Sequence, residues 1–421
     1  MKSVLIGELR DDGAFSPDPS TLLPRCHAMK RRSFLSAASC APLLGMTGQA
    51  EASGNADDGT NSSGVFDIVA EFTGPGPSGV AVLPDGRLFV SFPRHADNHP
   101  GATLGEVKNG KIIPYPSAEV SLPSNRAPAD RLMSVHGLAL DSQNRLWLID
   151  DGKLAKHDIP EGAAKIICID PATDKIVHRI VLKAPAMRPD SHMNDLRVAL
   201  SVGERGTVFV TDSSFGTEPA LVVADIATGE ARRVLAHHPS TQAVEGFMAI
   251  VEGEPRRYIP HHPQMVSGGA DGIALPGDES RLYYSPLTSR RLYSLPTRAL
   301  ADKALDDQAL GALVRDEGEK GTADGLCFDQ HDRLYTTNYE HDCILRRDPD
   351  GALVIAVRDP RILSPDGICA TKDWIYCTLG QWNRLPSFNE GQNRRRPPYL
   401  LIRFPVEPLT PLNAAPEAPR Q

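Results

Sequence analysis

Polar side chains recur at one position of a pattern that repeats along this chain. Each stands at or directly before the start of a short apolar strand, and most are followed by glycine: Ser78, His136, Asn194 with Asp195, Asp271, Asp324 and Asp366. Carboxylates that converge on a small space raise one another's pKa unless a cation neutralises them. Their oxygens suit Ca²⁺, and also Mg²⁺ or Mn²⁺. The pattern therefore predicts an acidic site for a divalent cation or a small ligand.

The dipeptide Asp-Gly also forms ordinary turns, and this gives the aspartates a second interpretation. Asp85-Gly86 is such a turn, because it lies between two apolar runs. Asp271, Asp324 and Asp366 instead precede a strand, so their position favours a site. A solvated polar rim remains the alternative, and His136 on its own would be interpreted as a structural histidine.

The other candidate residues are less informative. His237-His238 and His261-His262 lie beside proline and are interpreted as solvated loop residues, although the second pair is close enough to Asp271 to reach the same site. The sequence has no glycine-rich phosphate loop, no serine nucleophile elbow and no HExxH zinc motif.

The polar residues belong to a sequence pattern that repeats six times along the chain. Each copy reads as an apolar strand, a polar turn and a second strand rich in aromatic and β-branched residues, and the copies start at Gly79, Gly137, Asp195, Gly272, Gly325 and Gly367. Further strands follow most copies, so we expect four strands per unit. This predicts an all-β fold, a six-bladed β-propeller with four-stranded antiparallel blades. Residues 65–72 and 399–404 are predicted to share the last blade and close the ring.

Composition agrees with a large β protein and excludes several partners. The 421 residues include 45 basic and 53 acidic ones, a formal net charge of −8, and this argues against nucleic acid or anionic membrane surfaces as partners. Glycine and proline number 35 and 36, which indicates many turns. We expect a small-molecule partner and no stable membrane span, and the sequence leaves the oligomeric state open.

The N-terminal segment resembles an export signal. The pair Arg31-Arg32 precedes an apolar run at 34–46, which is too short to span a bilayer, and Ala50-Glu51-Ala52 offers a small-residue cleavage site. We therefore predict a twin-arginine signal and a periplasmic or secreted protein. Translation from Met1 or from Met29 remains open.

The predicted organisation follows from these boundaries. It has an N-terminal extension with the signal at 1–52, a flexible lead-in at 53–64, one propeller domain at 65–410 and a loose tail at 411–421. Five cysteines remain after the signal, and one or two disulfides or buried free thiols are both compatible with their positions in strand-like runs.

Three paired motifs carry a family resemblance. They are 136–140 with 146–150, 193–198 with 210–212, and 270–275 with 282–285. In this order they resemble the major royal jelly protein and Yellow family, whose members are six-bladed propellers. The same superfamily holds the gluconolactonase and senescence-marker type of calcium-dependent lactonases.

The resemblance to those lactonases implies roles for individual residues. Asn194 matches a substrate-contacting asparagine, Asp271 falls where the lactonases have a metal-binding asparagine, and Asp324 matches the metal-binding aspartate that also serves as base. The first-blade glutamate is replaced by Ser78. We expect Asp271 and Asp324 to hold a divalent cation, with Asn194, His136 and Asp366 contacting substrate.

Two functions therefore follow from the sequence, and they belong to different classes. One is a metal-dependent lactone hydrolase. The other is a non-catalytic secreted binding protein for small ligands, as royal jelly and Yellow relatives imply, and the missing first-blade carboxylate favours it. A third possibility, a quinone-dependent sugar oxidase, lacks a visible cofactor signature.

Overall fold

The computed structural model describes residues 64–214, 218–257 and 268–407. Within these ranges the chain forms 26 β-strands, most of them arranged in six four-stranded antiparallel sheets. The predicted six-bladed β-propeller is confirmed. The predicted signal and tail, the lead-in up to residue 63, and the pair His261-His262 lie outside the described residues.

The first strand in the chain, β1 (Asp67–Phe72), belongs to the last blade, and the first three blades follow in chain order. The first blade contains β2 (Val80–Val82), β3 (Leu88–Ser91), β4 (Leu104–Lys108) and β5 (Lys111–Pro114). The second contains β6 (Val135–Leu140), β7 (Leu146–Asp150), β8 (Lys165–Asp170) and β9 (Lys175–Val181). The third contains β10 (Met193–Ala199), β11 (Thr207–Asp212), β12 (Ala220–Asp225) and β13 (Ala231–Val234).

A two-stranded hairpin, β14 (Met248–Val251) and β15 (Glu254–Arg257), separates the third blade from the last three. The fourth blade contains β16 (Ala270–Ala274), β17 (Arg281–Pro286), β18 (Arg291–Pro296) and β19 (Arg315–Glu319). The fifth contains β20 (Leu326–Phe328), β21 (Leu334–Asn338), β22 (Cys343–Arg347) and β23 (Leu353–Arg358). The sixth contains β24 (Pro365–Ala370), β25 (Trp374–Leu379) and β26 (Tyr399–Pro405), with β1 as its outer strand.

Helices are few and short in the described part of the chain. They are α1 (Ala118–Ser121), α2 (Thr297–Ala301) and α3 (Asp307–Gly311), with 3₁₀ turns at Pro128–Asp130, Pro239–Thr241, Trp382–Arg384 and Pro386–Phe388. No helix among the described residues is long and apolar enough to cross a membrane.

Burial explains the sequence pattern of the strands. The second and third strands of the second blade are covered on both faces, so β7 and β8 read as continuous apolar runs around Trp147. The outer strand β9 alternates exposed and half-buried positions, because one face meets solvent. Apolar side chains of neighbouring blades pack together around the ring, as Phe209 of the third blade does with Leu282 of the fourth.

The ring closes between the two ends of the propeller. Strand β1 pairs antiparallel with β26, from Asp67 opposite Arg403 to Phe72 opposite Tyr399, as the sequence predicted. On the inner side, the Thr378 hydroxyl of the sixth blade donates a hydrogen bond to the Ser78 carbonyl of the first. The closed arrangement protects sheet edges that would otherwise remain unpaired.

The hairpin β14–β15 was not predicted, and it reaches across three blades. The backbone amide of Ile250 donates to the Glu340 carboxylate in the fifth blade, at 3.0 Å. Glu252 forms an ion pair with Arg384 in the long connection of the sixth blade. The five cysteines of the described residues are free thiols, four of them buried, which favours the free-thiol interpretation.

Candidate functional site

The predicted polar residues meet at one end of the central channel. Neighbouring strands of a blade run in opposite directions, so the second strand ends at the end of the propeller where the first strand began. The starts of all inner strands therefore lie at one end, together with the connections between second and third strands. One small cavity, about 10 Å³, is lined by all of them: Ser78, His136, Asn194, Asp195, Asp271, Asp324 and Asp366. A space of this size admits about one water molecule or a single ion. The predicted convergence of these residues is therefore present.

Bulges in the inner strands turn these side chains toward the axis. The pairing of β6 with β7 is regular on either side of His136-Gly137 but shifts there, and β16 shifts in the same way at Asp271-Gly272. The same shift occurs at Asn194-Asp195 and at Asp366-Gly367. Bulges commonly redirect a side chain beside a site, and here four blades use one at the axial residue.

The glycine after an axial residue permits close approach between blades. A Cβ atom on Gly367 would lie 2.2 Å from the Ser78 carbonyl oxygen of the next blade. A Cβ atom on Gly325 would lie 2.2 Å from the Asp366 carbonyl oxygen. Any side chain at either position would push neighbouring inner strands apart and widen the channel. The glycines of the repeat are thus packing residues that keep the axial ring narrow.

Asp271 and Asp324 form a carboxyl pair across the boundary between the fourth and fifth blades. Their side chains hydrogen-bond to each other, and Asp271 also interacts with Ser213. Burial, followed by the charge of Asp366, raises the pKa of Asp271 to about 8. Burial, followed by the charge of Asp271, raises the pKa of Asp324 well above its ordinary value. The pair therefore holds protons more tightly than ordinary carboxyl groups do, unless a cation replaces them.

The other two axial carboxyl groups have closer partners. Asp195 lies 3.1 Å from the guanidinium of Arg197, which compensates its charge. Asp366 interacts with Ser78 and Trp382, although burial, followed by the charge of Asp324, still raises its pKa well above the ordinary value.

The nearest buried cation does not neutralise the pair directly. The Lys320 ammonium donates to the carbonyls of Ser289 and Gly321, at 3.1 and 2.9 Å. Burial lowers the pKa of Lys320 to about 7, while the charges of Asp271 and other acidic neighbours oppose this shift. Among the described residues, no basic side chain comes within ion-pair distance of Asp271 or Asp324. This part of the mouth therefore favours an added cation.

Asn194 and His136 line the cavity from the third and second blades. The Asn194 amide donates to the Ser213 hydroxyl at 3.2 Å, which leaves its carbonyl oxygen to contact a ligand. Nδ1 of His136 lies 3.3 Å from the Ser78 hydroxyl. Burial lowers the pKa of His136 to about 3, so its imidazole is neutral at physiological pH. Both predicted substrate contacts therefore offer uncharged polar groups.

Two histidines that the sequence reasoning missed join His136. His95 follows β3 and His192 precedes β10, and the three side chains place their ligand nitrogens within 4.8 Å of one another. The ring centroids of His95 and His136 are 5.2 Å apart, and those of His136 and His192 are 4.9 Å apart. We name these three residues the histidine triad. His192 stands two residues before Asn194, so its nearness to an axial residue was a signal in the sequence.

Aspartates at the ends of second strands hold the triad in place. Asp212 accepts a hydrogen bond from the backbone amide of His192 at 2.8 Å and pairs with Arg233 at 2.6 Å. Asp150 likewise accepts from the amide of Ser134, just before β6, and pairs with the buried Lys165 at 2.7 Å. These aspartates belong to the motifs that carried the family resemblance, and their role here is structural.

Comparison with known proteins places this architecture in a family. The sequence profile described as "Major royal jelly protein" matches residues 133–357, more than half of the chain. A dopaminechrome tautomerase of Drosophila melanogaster is 33% identical over 137 residues, which cover 30% of this chain and 28% of the relative. Major royal jelly protein 2 of Apis mellifera is 23% identical over 286 residues, 60% of this chain and 59% of the relative. The matched regions thus span less than two thirds of these relatives.

Among solved structures, a gluconolactonase of Xanthomonas campestris is similar at 16% identity with a TM-score of 0.47, covering 82% of this chain and 90% of that one. A likeness at this score carries no argument about activity. The profile match is the finding that decides the family: the chain belongs to the major royal jelly protein family.

Proposed function

We propose that this protein is a divalent-cation-dependent hydrolase that opens small cyclic esters at the channel mouth. The observation that carries the proposal is the hydrogen-bonded pair of the buried Asp271 and the half-buried Asp324 on neighbouring blades. No basic side chain of the described structure lies at ion-pair distance from either. Ca²⁺ is the first candidate, with Mg²⁺ or Mn²⁺ as alternatives, because the donors are oxygens.

The residues at the mouth fit such a cation. Asp271 and Asp324 would hold it, and the cavity among the axial residues has room for one ion. When bound, the cation would polarise the ring carbonyl and keep both carboxyl groups ionised. Ser78 stands where the resembling lactonases have a metal-binding glutamate, so the affinity should be lower and water should complete the coordination.

The chain's own residues would supply the remaining chemistry. Asp324 is half-buried and reaches the channel, so its carboxylate would accept the proton of the attacking water. The carbonyl oxygen of Asn194 would orient a substrate hydroxyl, and His136 and Asp366 line the same cavity. Opening of the ring adds this water across the ester bond, giving a hydroxy acid.

A panel of sugar lactones and aliphatic lactones tests the proposal, with acid release followed in a pH-stat. We expect hydrolysis that depends on an added divalent cation and falls by at least about 100-fold in Asp324→Asn. Asp373→Asn, an exposed carboxylate on the turn before β25, is the matched control and should keep full activity. Hydrolysis that persists after chelation, or in Asp324→Asn, would contradict the proposed mechanism.

A second candidate is cation-independent proton transfer within a small quinonoid compound. The relative named as a dopaminechrome tautomerase favours it. So does Asp151, whose carboxylate lies 3.3 Å from Nδ1 of His192 and whose pKa burial raises to about 6, near the value useful to a general base. Conversion of dopaminechrome in the presence of chelator, lost in Asp151→Asn, would favour this candidate over lactone hydrolysis.

The non-catalytic alternative has its own outcome in the same experiments. If neither lactones nor dopaminechrome react, saturable calorimetric binding of small cationic ligands would support a secreted binding protein, since acidic mouths attract cations. Absence of turnover with retained binding decides in favour of this alternative.

We also propose that the protein is exported, from the pair Arg31-Arg32 and the short apolar run that follows. Replacing both arginines with lysine should leave the protein in the cytoplasm of its host, measured by cell fractionation. Normal periplasmic or extracellular accumulation of this variant would contradict the twin-arginine signal.

A further inference from the structure

We propose that the histidine triad, His95, His136 and His192, binds one first-row transition-metal ion that prefers imidazole, with Zn²⁺ as the leading candidate. Three separate parts of the chain deliver these residues to the same buried place, and their ligand nitrogens lie within 4.8 Å of one another. This site would bind different ions from the carboxyl pair, because nitrogen ligands select Zn²⁺, Cu²⁺ or Ni²⁺ whereas carboxylates select Ca²⁺ or Mg²⁺.

The surroundings of two rings match those of metal-binding histidines. Such histidines usually direct one ring nitrogen at an oxygen, which fixes the tautomer and leaves the other nitrogen for the metal. Nδ1 of His136 faces the Ser78 hydroxyl at 3.3 Å, and Nδ1 of His192 faces the Asp151 carboxylate at the same distance. The Nε2 atoms of both rings therefore remain as ligands.

His95 adds an independent observation. Its Nδ1 atom is buried and has no hydrogen-bond partner among the described residues. A buried polar atom without a partner is costly, and it commonly marks the position of a bound water or ion. A metal ion, or a water molecule bound to one, would satisfy this nitrogen.

The backbone framework behind the triad is rigid. The buried Arg94 fixes the loop of His95, because its guanidinium donates to the carbonyls of Met133, His99 and Gly101, at 2.6, 3.2 and 2.6 Å. Sites that are held in this way bind metals with little cost in conformational entropy.

Only a small adjustment would complete the coordination. Zinc–nitrogen bonds of about 2.0–2.1 Å place tetrahedral ligands about 3.3 Å apart, so nitrogen separations of up to 4.8 Å would shorten by up to about 1.5 Å. Rotation of the His95 side chain would supply part of this movement without shifting the backbone that Arg94 fixes. Three protein ligands leave a fourth position for water or a ligand oxygen, which is the arrangement of catalytic rather than structural zinc sites.

The residues around the triad show where the fourth coordination position of the metal would lie. The ring of Trp382 lies 5.5 Å from that of His95 and forms one wall. His136 belongs both to the triad and to the axial cavity, so a metal on the triad would lie at the edge of that cavity. A small ligand at the mouth could therefore contact both the metal and the axial residues.

Calorimetric titration with Zn²⁺ tests the proposal, after dialysis of the full chain against a chelator. We expect one Zn²⁺ per chain, and a loss of affinity of more than about 100-fold in His95→Asn. Co²⁺ bound at this site should show the intense visible absorption of tetrahedral nitrogen coordination. His178→Asn, which changes a histidine stacked on Trp147 away from the triad, is the matched control and should bind Zn²⁺ like the unchanged protein.

Two further variants keep the result decisive. His192→Asn repeats the test from a second element, and melting curves show whether each variant folds. Asp324→Asn should retain Zn²⁺ binding, because it alters the carboxyl pair and not the triad. If the unchanged protein binds neither Zn²⁺ nor Co²⁺, or if His95→Asn binds them equally well, the proposal is wrong and the triad is an aromatic packing cluster.

Discussion

The carboxyl groups of Asp271 and Asp324 hydrogen-bond to each other across the boundary between two blades. Each stands at the start of an inner strand, and no basic side chain of the described structure lies within ion-pair distance of either. Two such carboxyl groups remain close only if they share protons or a cation.

Gly367→Ala should disturb the ring at the junction between the sixth and first blades. The added Cβ would lie 2.2 Å from the carbonyl oxygen of Ser78, and this backbone atom cannot move without displacing an inner strand. We expect a loss of about 3 kcal/mol or more in the free energy of unfolding, measured in urea. Gly277→Ala, whose Cβ would meet no atom within 4 Å, should change stability by less than about 1 kcal/mol. Equal stability of the two variants would argue against close packing at the axis.

Phe72→Ala tests closure of the ring by β1. The Phe72 side chain is buried against Phe92 of the first blade, with ring centroids 5.3 Å apart. Its removal should cost about 3–5 kcal/mol of unfolding free energy, as for other buried phenylalanines. Ile68→Ala in the same strand is the control, because Ile68 is exposed, and it should cost less than about 1 kcal/mol. A melting temperature unchanged by Phe72→Ala would show that β1 adds little to the closed ring.

Lys320 should make stability depend on pH. Burial lowers its folded-state pKa to about 7, so between about pH 7 and the unfolded value near 10.4 the unfolded chain binds more protons than the folded one. Stability should therefore rise with pH in this window, with a contribution of up to about 1.4 kcal/mol per pH unit. In Lys320→Met this contribution to the slope should disappear, as measured by urea unfolding at pH 7, 8 and 9.

The slope, and not the absolute stability, is the quantity to compare for Lys320. The methionine leaves the carbonyls of Ser289 and Gly321 without their ammonium donor, and this adds a cost that does not vary with pH. An identical pH slope in both proteins would mean that Lys320 keeps an ordinary pKa in the fold.

The sequence allowed the fold and the axial residues of the channel mouth to be predicted, but not His95 or His192. The reason is physical. The inner strand of each blade lines the central channel, and its first residue lies at one end of that channel. A repeated residue such as Asp271 or Asp324 could therefore be assigned to the channel from its position in the sequence alone. The hairpin β14–β15 and the loop of His95 could not be predicted, because long-range contacts determine their conformations. The carbonyls that Arg94 binds, for example, include that of Met133, 39 residues away.

The axial bulges show a second limit of the sequence. Alternation along β6 or β16 indicates which residues face the core, but it does not reveal that the register shifts at His136 or Asp271. The bulge is what turns these side chains toward the cavity. The meeting of the histidine triad depends on the same geometry, and only one of its three members stood in the repeated pattern.

Titration calorimetry with Ca²⁺, Mg²⁺ and Mn²⁺ on chelator-treated protein tests whether Asp271 and Asp324 bind a divalent cation. We predict one cation per chain, with a Kd of about 10⁻⁴–10⁻³ M, that is lost in Asp271→Asn and in Asp324→Asn but kept in Asp373→Asn and His95→Asn. Because the pKa of Asp271 is about 8 in the metal-free protein, binding at pH 7 should release about one proton or more, seen as a heat that varies with the buffer. If none of the three cations binds at millimolar concentration, or if binding is unchanged in both aspartate variants, the carboxyl pair is not a cation site.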